Sequence, residues 1–313
     1  MINRLHLSSV HPFKTISLLF YCFVLSLFTS SCTTSPQQNR EDFAPELSRK
    51  VLIAGTFVGP DGQLLPFAYE DEVLNFLKTA QIQGELSIPA GVTKPKKLLL
   101  EKDDVKSHAV FHYRHYISRR ETLKDGQVVL HFRDSYLNQV AAYEMSRLLC
   151  MSNIPPTVLR NADDKEGSVQ MWIENAINEK DRIDEKRSPP DRSIMDLAVH
   201  DMRVFDNLIN NIDRNLTNIL YGPDWKLWLI DHTRAFGRNK ELPDPKRLRR
   251  CSRFLWEQLQ SLDSRLVKEK LRPYMDSMEI ASLFDRRDKI IKFFKEKIEK
   301  EGEDNILFEY PKP

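Results

Sequence analysis

The apolar positions of this chain fall into distinct patterns, and each predicts a different element. From Ser193 to Asn211 apolar residues recur at Ile194, Ala198, Met202, Phe205 and Leu208, with Ile212 beyond, close to a 3.6-residue period. That spacing predicts an amphipathic helix running into Asp213. Asn218 to Tyr221 and Lys226 to Ile230 read as two short strands around Gly222-Pro223-Asp224, a tight hairpin. With the fold-back at Asp224 and Trp225, Asn218 lies opposite Asp231, and paired Cα atoms stand roughly 4.5–5.5 Å apart.

Elsewhere the patterns alternate between helix and strand. Glu70 to Ala80 reads as a helix, and Lys96 onward as two strands turning around Asp103-Asp104. Asp134 to Cys150 reads as a helix and Gly167 to Ala176 as a strand, with Lys180 to Arg192 a charged, Pro-broken loop between elements. Ser252 to Tyr274 and Ile280 to Glu301 are helical and amphipathic, the latter a packed terminal helix. No internal repeat interrupts this order, and the mixture predicts an α+β fold. A chain of 313 residues supports one large or two modest domains.

The first thirty-odd residues stand apart. Arg4 and Lys14 precede a mostly apolar run from Ile16 to Phe28, which is short for a membrane span and reads as a signal peptide over residues 1–31. Thr29-Ser30-Ser31-Cys32 follows and resembles a bacterial lipobox, although Thr29 stands where Leu is usual. On that reading Cys32 carries lipid, residues 32–50 are a polar tether, and the protein is exported and anchored to the cell envelope. The segment to Ser31 holds two basic residues and no acidic one, so the remainder balances 45 basic against 45 acidic side chains. That balance argues against nucleic-acid binding, and the basic runs Lys94 to Lys97 and Lys246 to Arg250 read as solvated faces. Cys150 and Cys251 are too few and too far apart in sequence to define a disulfide framework. His108, His112 and His115 do not make a metal set on a strand, since His115 takes the opposite face; they read as exposed strand histidines. Gly91, in Ile88 to Thr93, is a very weak phosphate-loop signal.

The chemistry gathers at Asp213, Asn218 and Asp231. A carboxylate and an amide at the open end of a hairpin offer oxygen ligands to a divalent cation, and Asp213 remains to handle a hydroxyl proton. Asp213 and Asn218 are five apart, Asn218 and Asp231 thirteen. This order and spacing resemble the catalytic Asp, metal-binding Asn and metal-binding Asp of protein kinases. The wording here, Asn-x-Asp-Arg-Asn-x-x-Asn and Ile-Asp-His-Thr-Arg-Ala-Phe, resembles the atypical kinases. These are the phosphatidylinositol 3-kinase-like group, the HipA toxin kinases and the secretory-pathway kinases of the four-jointed type. Asn215 replaces the His found in several of them, and Thr233 a common Gly.

The resemblance spans Val51 to about Glu309. It implies a two-lobed fold, with a small β-rich nucleotide lobe over residues 51–176 and a mostly helical lobe over 177–313. It implies transfer of the ATP γ-phosphate, with Mg²⁺ or Mn²⁺, to a hydroxyl on a protein, sugar or lipid headgroup. Asp213 is then catalytic and Asn218 and Asp231 hold metal. The strand Lys and helix Glu of the family align with His112 and Gln139, a neutral pair. Arg114 then supplies charge to the nucleotide phosphates, Glu144 is a stand-in for the helix Glu, and Trp172 packs near the adenine. Arg214 and Arg234 flank the site as ion-pair partners or phosphate ligands. The second reading is an inactive kinase fold, a pseudokinase, serving as an envelope binding or scaffold protein.

Overall fold

The computed structural model describes residues 51–53, 55–88, 95–124, 126–162 and 164–311. The expected signal peptide, tether and Cys32 lie outside the described residues, as does most of the Ile88 to Thr93 stretch.

Helix α1 (Glu70–Thr79) begins with three acidic residues and ends near Lys78, which suits the helix dipole. The Glu72 carboxylate accepts from the backbone N–H groups of Ala68 (2.7 Å) and Tyr69 (3.0 Å). Val73, Phe76 and Leu77 of α1 are buried with one face of a five-stranded sheet. Its strands are β1 (Gln81–Ser87), β2 (Lys96–Lys102), β3 (Val105–His112), β6 (Thr157–Ala162) and β7 (Lys165–Met171). They run in the order β1-β2-β3-β7-β6, every pair antiparallel. Leu98, Leu100, Ala109, Phe111, Val169 and Met171 meet α1 in this upper core. Asp103 and Asp104 join β2 to β3 with φ of 51° and 63°, the two-residue hairpin turn that short polar side chains tolerate.

Strand β3 ends at His112 rather than running on. A separate two-stranded ribbon, β4 (His115–Thr122) with β5 (Val128–Ser135), stands between β3 and helix α2 (Tyr136–Leu148). The sequence reading passed over this ribbon and began the helix at Asp134; Asp134 and Ser135 instead close β5, and Ser135 caps α2 through Leu137 N (3.1 Å). Ala141, Ala142, Tyr143, Met145 and Leu149 at α2 join the lower core, alongside Phe205, Leu208 and Leu229.

The lower lobe contains β8 (Ile177–Asn178), α3 (Glu179–Asp184), α4 (Arg192–Leu208), β9 (Ile219–Tyr221) and β10 (Leu227–Leu229). Beyond them come β11 (Cys251–Ser252), α5 (Arg253–Ser261), α6 (Ser264–Leu271), α7 (Ser277–Glu301), α8 (Glu303–Ile306) and β12 (Leu307–Phe308). Two expectations are corrected here. Half of the stretch from Lys180 to Arg192 is helical, because Asn178 caps α3 at Asp181 N (2.9 Å). The helix expected over Ser252 to Tyr274 breaks in two, because the Asp263 carboxylate caps a new helix at Arg265 N (2.6 Å) and Leu266 N (3.0 Å).

The hairpin forms where expected but one residue out of register. Leu227 pairs with Tyr221 and Leu229 with Ile219, so Ile230, not Asp231, faces Asn218. The loop has three residues: Trp225 adopts φ of 64°, its N–H donates to Gly222 O (2.9 Å), and Gly222 N donates to Lys226 O (3.0 Å). A left-handed third loop residue adds one position to the turn and shifts every later pair. Cys150 and Cys251 are not bonded to each other. Among the described residues no helix is long and apolar enough to cross a membrane.

Candidate active site

Helix α4 ends at Leu208, and the chain then tightens into a loop held by its own polar groups. Asn211 Oδ1 accepts from Asp213 N (3.1 Å), and Asn218 Nδ2 donates to Asp213 O (3.0 Å). Asn218 is buried in a short 3₁₀ turn, Leu216–Asn218, that Asn215 caps through Thr217 N (2.9 Å). Arg214 fastens this loop to everything around it. Its side chain is 4% exposed, paired with Asp206 through Nε (3.0 Å). It donates from Nη1 to Asn218 O (2.7 Å) and Ile230 O (2.9 Å), and from Nη2 to His232 Nε2 (2.9 Å). Arg214 is thus a framework residue, which decides between the two roles its position allowed.

Asp231 follows β10 with φ of 52°, and its Oδ1 accepts from Thr233 Oγ1 (3.0 Å). The amide of Asn218 spends its N–H on the Asp213 carbonyl, which leaves the acceptor Oδ1 as the atom it offers to a ligand. Burial raises the Asp213 carboxyl above its usual range, against the opposing pull of Arg234, with Asp231 adding a further upward push. Arg234 donates from Nη1 to Asp213 Oδ2 (3.0 Å) and from Nε to Asp134 Oδ2 (3.2 Å). Asp134 had gone unnoticed in the sequence. It is 1% exposed, and Arg114 Nε approaches the same oxygen at 3.8 Å.

Helix α2 meets the loop that follows β10 through its first turn. Asn138 Nδ2 donates to Thr233 O (2.6 Å) and Ala235 O (3.0 Å), and Arg133 donates to Asn138 Oδ1. Gln139 Oε1 accepts from His232 N (2.9 Å), and Ser135 N donates to Thr233 O (2.9 Å). The sequence signal for these contacts was the Ser135 cap: a Ser ahead of an apolar-periodic run marks a helix start, and the polar residues of that first turn then face the loop.

His112 and Gln139 come together in the interior, His112 Nε2 to Gln139 Nε2 at 3.5 Å. With the amide N–H donating to Nε2, the imidazole proton sits on Nδ1, which is buried without a partner. Burial lowers the His112 pKa and outweighs the upward pull of Asp231 and Asp134, so the ring is neutral. The exposed-histidine reading is corrected: His112 is buried, and His108 Nδ1 bonds Glu174 Oε1 at 2.5 Å. Only His115 of the three is exposed, with Nδ1 on Ser135 Oγ (2.7 Å). The stand-in reading for Glu144 also fails: its carboxylate pairs with Arg147 on its own helix at 3.5 Å. Trp172, after β7, is half-buried beneath Lys97 Nζ, 4.2 Å from the ring centroid.

No family model and no curated protein matches this chain. Solved structures do. Hydra Fam20 with sugar aligns with a TM-score of 0.57 at 16% identity, covering 76% of this chain and 91% of that one. The Golgi casein kinase aligns with a TM-score of 0.55 at 16% identity, covering 76% and 79%. Its form with Mn/ADP bound gives 0.56 at 18% identity, covering 76% and 78%. At such identities the likeness speaks for the fold: this chain has a two-lobed, atypical kinase-like fold, with a small β-rich N-lobe and a mostly helical C-lobe.

Proposed function

We propose that the protein is an atypical kinase-like phosphotransferase that moves the ATP γ-phosphate to a hydroxyl acceptor with Mg²⁺ or Mn²⁺. The observation that carries this reading is the gathering of the three residues: Asn218 donates to the Asp213 carbonyl, buried Arg214 bonds the carbonyls of Asn218 and of Ile230 just before Asp231, and Asp231 lies near enough to Asp213 to push its carboxyl upward. The donor set fits the ion. Asn218 Oδ1 and the Asp231 carboxylate are hard oxygens, which suit Mg²⁺ or Mn²⁺ rather than zinc. Among the described residues no three His, Cys, Asp or Glu side chains are placed to hold a metal by themselves. Mg²⁺ commonly takes one or two protein carboxylates and keeps water and phosphate as its other ligands. When bound, the ion neutralises charge on the phosphates.

Asp213 accepts or orients the acceptor hydroxyl proton, and Arg234 on its Oδ2 fixes the carboxylate's direction. Catalysis of this kind is mostly positioning and charge neutralisation. His112, Gln139, Arg114 and Trp172 form the nucleotide side, with Arg114 as cation and Trp172 near the base. The acceptor is a protein, sugar or lipid-headgroup hydroxyl. The chain is exported and anchored through a lipid on Cys32, a reading that rests on the sequence.

The neutral His112–Gln139 pair favours a second reading, a pseudokinase scaffold in the envelope, because the usual charged pair is missing. Thermal unfolding with MgATP or MnATP separates the two. Ligand at a hundred times its Kd stabilises the folded state by about 2.7 kcal/mol. The wild type is expected to gain a metal-dependent shift that Asp231→Ala loses. Absence of a shift with any nucleotide and metal overturns the phosphotransfer reading and leaves the scaffold.

A further inference from the structure

The cleft has an electrostatic gap. At the end of β3, where the resemblance calls for a lysine, stands a buried His112 whose neighbour Gln139 is also neutral. A triphosphate carries several negative charges, and Asp213, Asp231 and Asp134 add three more around the same place. The cations bonded to these carboxylates are Arg234 and Arg114.

We infer that Arg234 is the ligand of the transferring phosphoryl group, and that the buried Asp134 is the residue that positions it. The inference rests on the phosphotransfer reading. Three observations carry it. Arg234 commits Nε to Asp134 and Nη1 to Asp213, yet Nη2 makes no hydrogen bond among the described residues, and the side chain is 24% exposed. It therefore keeps donors for a ligand while two carboxylates fix its plane. Asp134 is almost wholly buried, and its Oδ1 has no hydrogen-bond partner. A carboxylate in that state is costly unless nearby cations stabilise it, and both arginines converge on its other oxygen. Last, Arg234 already touches Asp213, the group assigned to the acceptor hydroxyl, so its open edge lies beside the reacting end of the donor rather than the base end.

A structural staple between strand β5 and the loop would use the same two ion pairs, so the test must read the phosphate itself. Isothermal calorimetry of the full chain with a non-hydrolysable Mg-triphosphate (the β,γ-imido analogue of ATP) and with MgADP supplies that readout. Arg234→Gln is expected to weaken the triphosphate about tenfold or more, as loss of a charge-assisted hydrogen bond does, and the diphosphate less than twofold. Asp134→Asn is expected to weaken the triphosphate selectively, to a smaller extent. Arg234→Lys, which keeps charge but not the fork, serves as the second variant if Gln unfolds the chain, and is expected to restore only part of the affinity. Equal losses on triphosphate and diphosphate overturn the inference and leave phosphotransfer standing. Failure of the wild type to bind either ligand overturns both.

Discussion

Asp213 shows how much of the chemistry lies in single contacts. Its carboxyl sits high because burial disfavours the charged form, while the Arg234 cation pulls it back down. If Asp213 takes the acceptor proton as proposed, its carboxylate is the working form and the rate falls as pH drops through that raised value. The acid limb of the pH–rate profile is therefore expected above the usual carboxylate range. Removing the cation with Arg234→Gln leaves burial unopposed and moves the limb to higher pH. A limb that stays in place detaches Asp213 from proton transfer. At this scale Asp213, Asn218 and Asp231 were legible because their spacing is a property of the chain. Asp134 was not, since nothing local distinguishes an aspartate before a helix that caps it from one that grips an arginine a hundred residues away. The roles of Arg214 and Arg234 likewise separated only with their partners in view.

Among the elements, α1, α4 and α7 were readable because each buries one stripe at helical period. The hairpin was readable in kind but not in register. Sequence offers no glycine at position 225 to announce a left-handed loop residue, and tertiary packing holds Trp225 there instead. The ribbon β4–β5 was missed because its strands pair only with each other and several apolar side chains face solvent, among them Ile117 and Leu130. Helix α7 makes a further contact no pattern announces. Arg286 is fully buried and donates to Leu208 O (2.8 Å) and Gly237 O (3.1 Å), and also to Asn239 O. No carboxylate hydrogen-bonds it, and burial lowers its pKa to about 10. It ties the end of α4 to the segment after Phe236. Arg286→Leu strands three carbonyls and is expected to cost about 3 kcal/mol or more, read as a lowered urea midpoint at unchanged m-value. A change below about 0.5 kcal/mol contradicts this role.

For the whole molecule, the two-lobed, kinase-like fold is shown by its likeness to solved structures, whereas sequence reached it only through a short motif. What neither the motif nor the element order foretold is the allegiance of α2. By sequence it belongs with the upper sheet; by packing its apolar side chains sit in the lower core, and its first turn holds His232, Thr233 and Ala235. The consequence is mechanical. Helix α2 is also tied upward, by Arg147 Nε on Glu70 of α1 (3.0 Å) and by Gln139 beside His112 of β3, so it bridges the two lobes while holding the loop after β10. Hydrogen exchange is expected to record this anchoring: the amide protons of α2, Ser135 and His232 exchange as one slow group, apart from those of the edge strand β1. Exchange of α2 in step with β1 contradicts it. On the phosphotransfer reading proposed above, a helix bonded to both lobes keeps Gln139 and Asn138 in fixed relation to the loop that carries Asp231 while donor enters and product leaves.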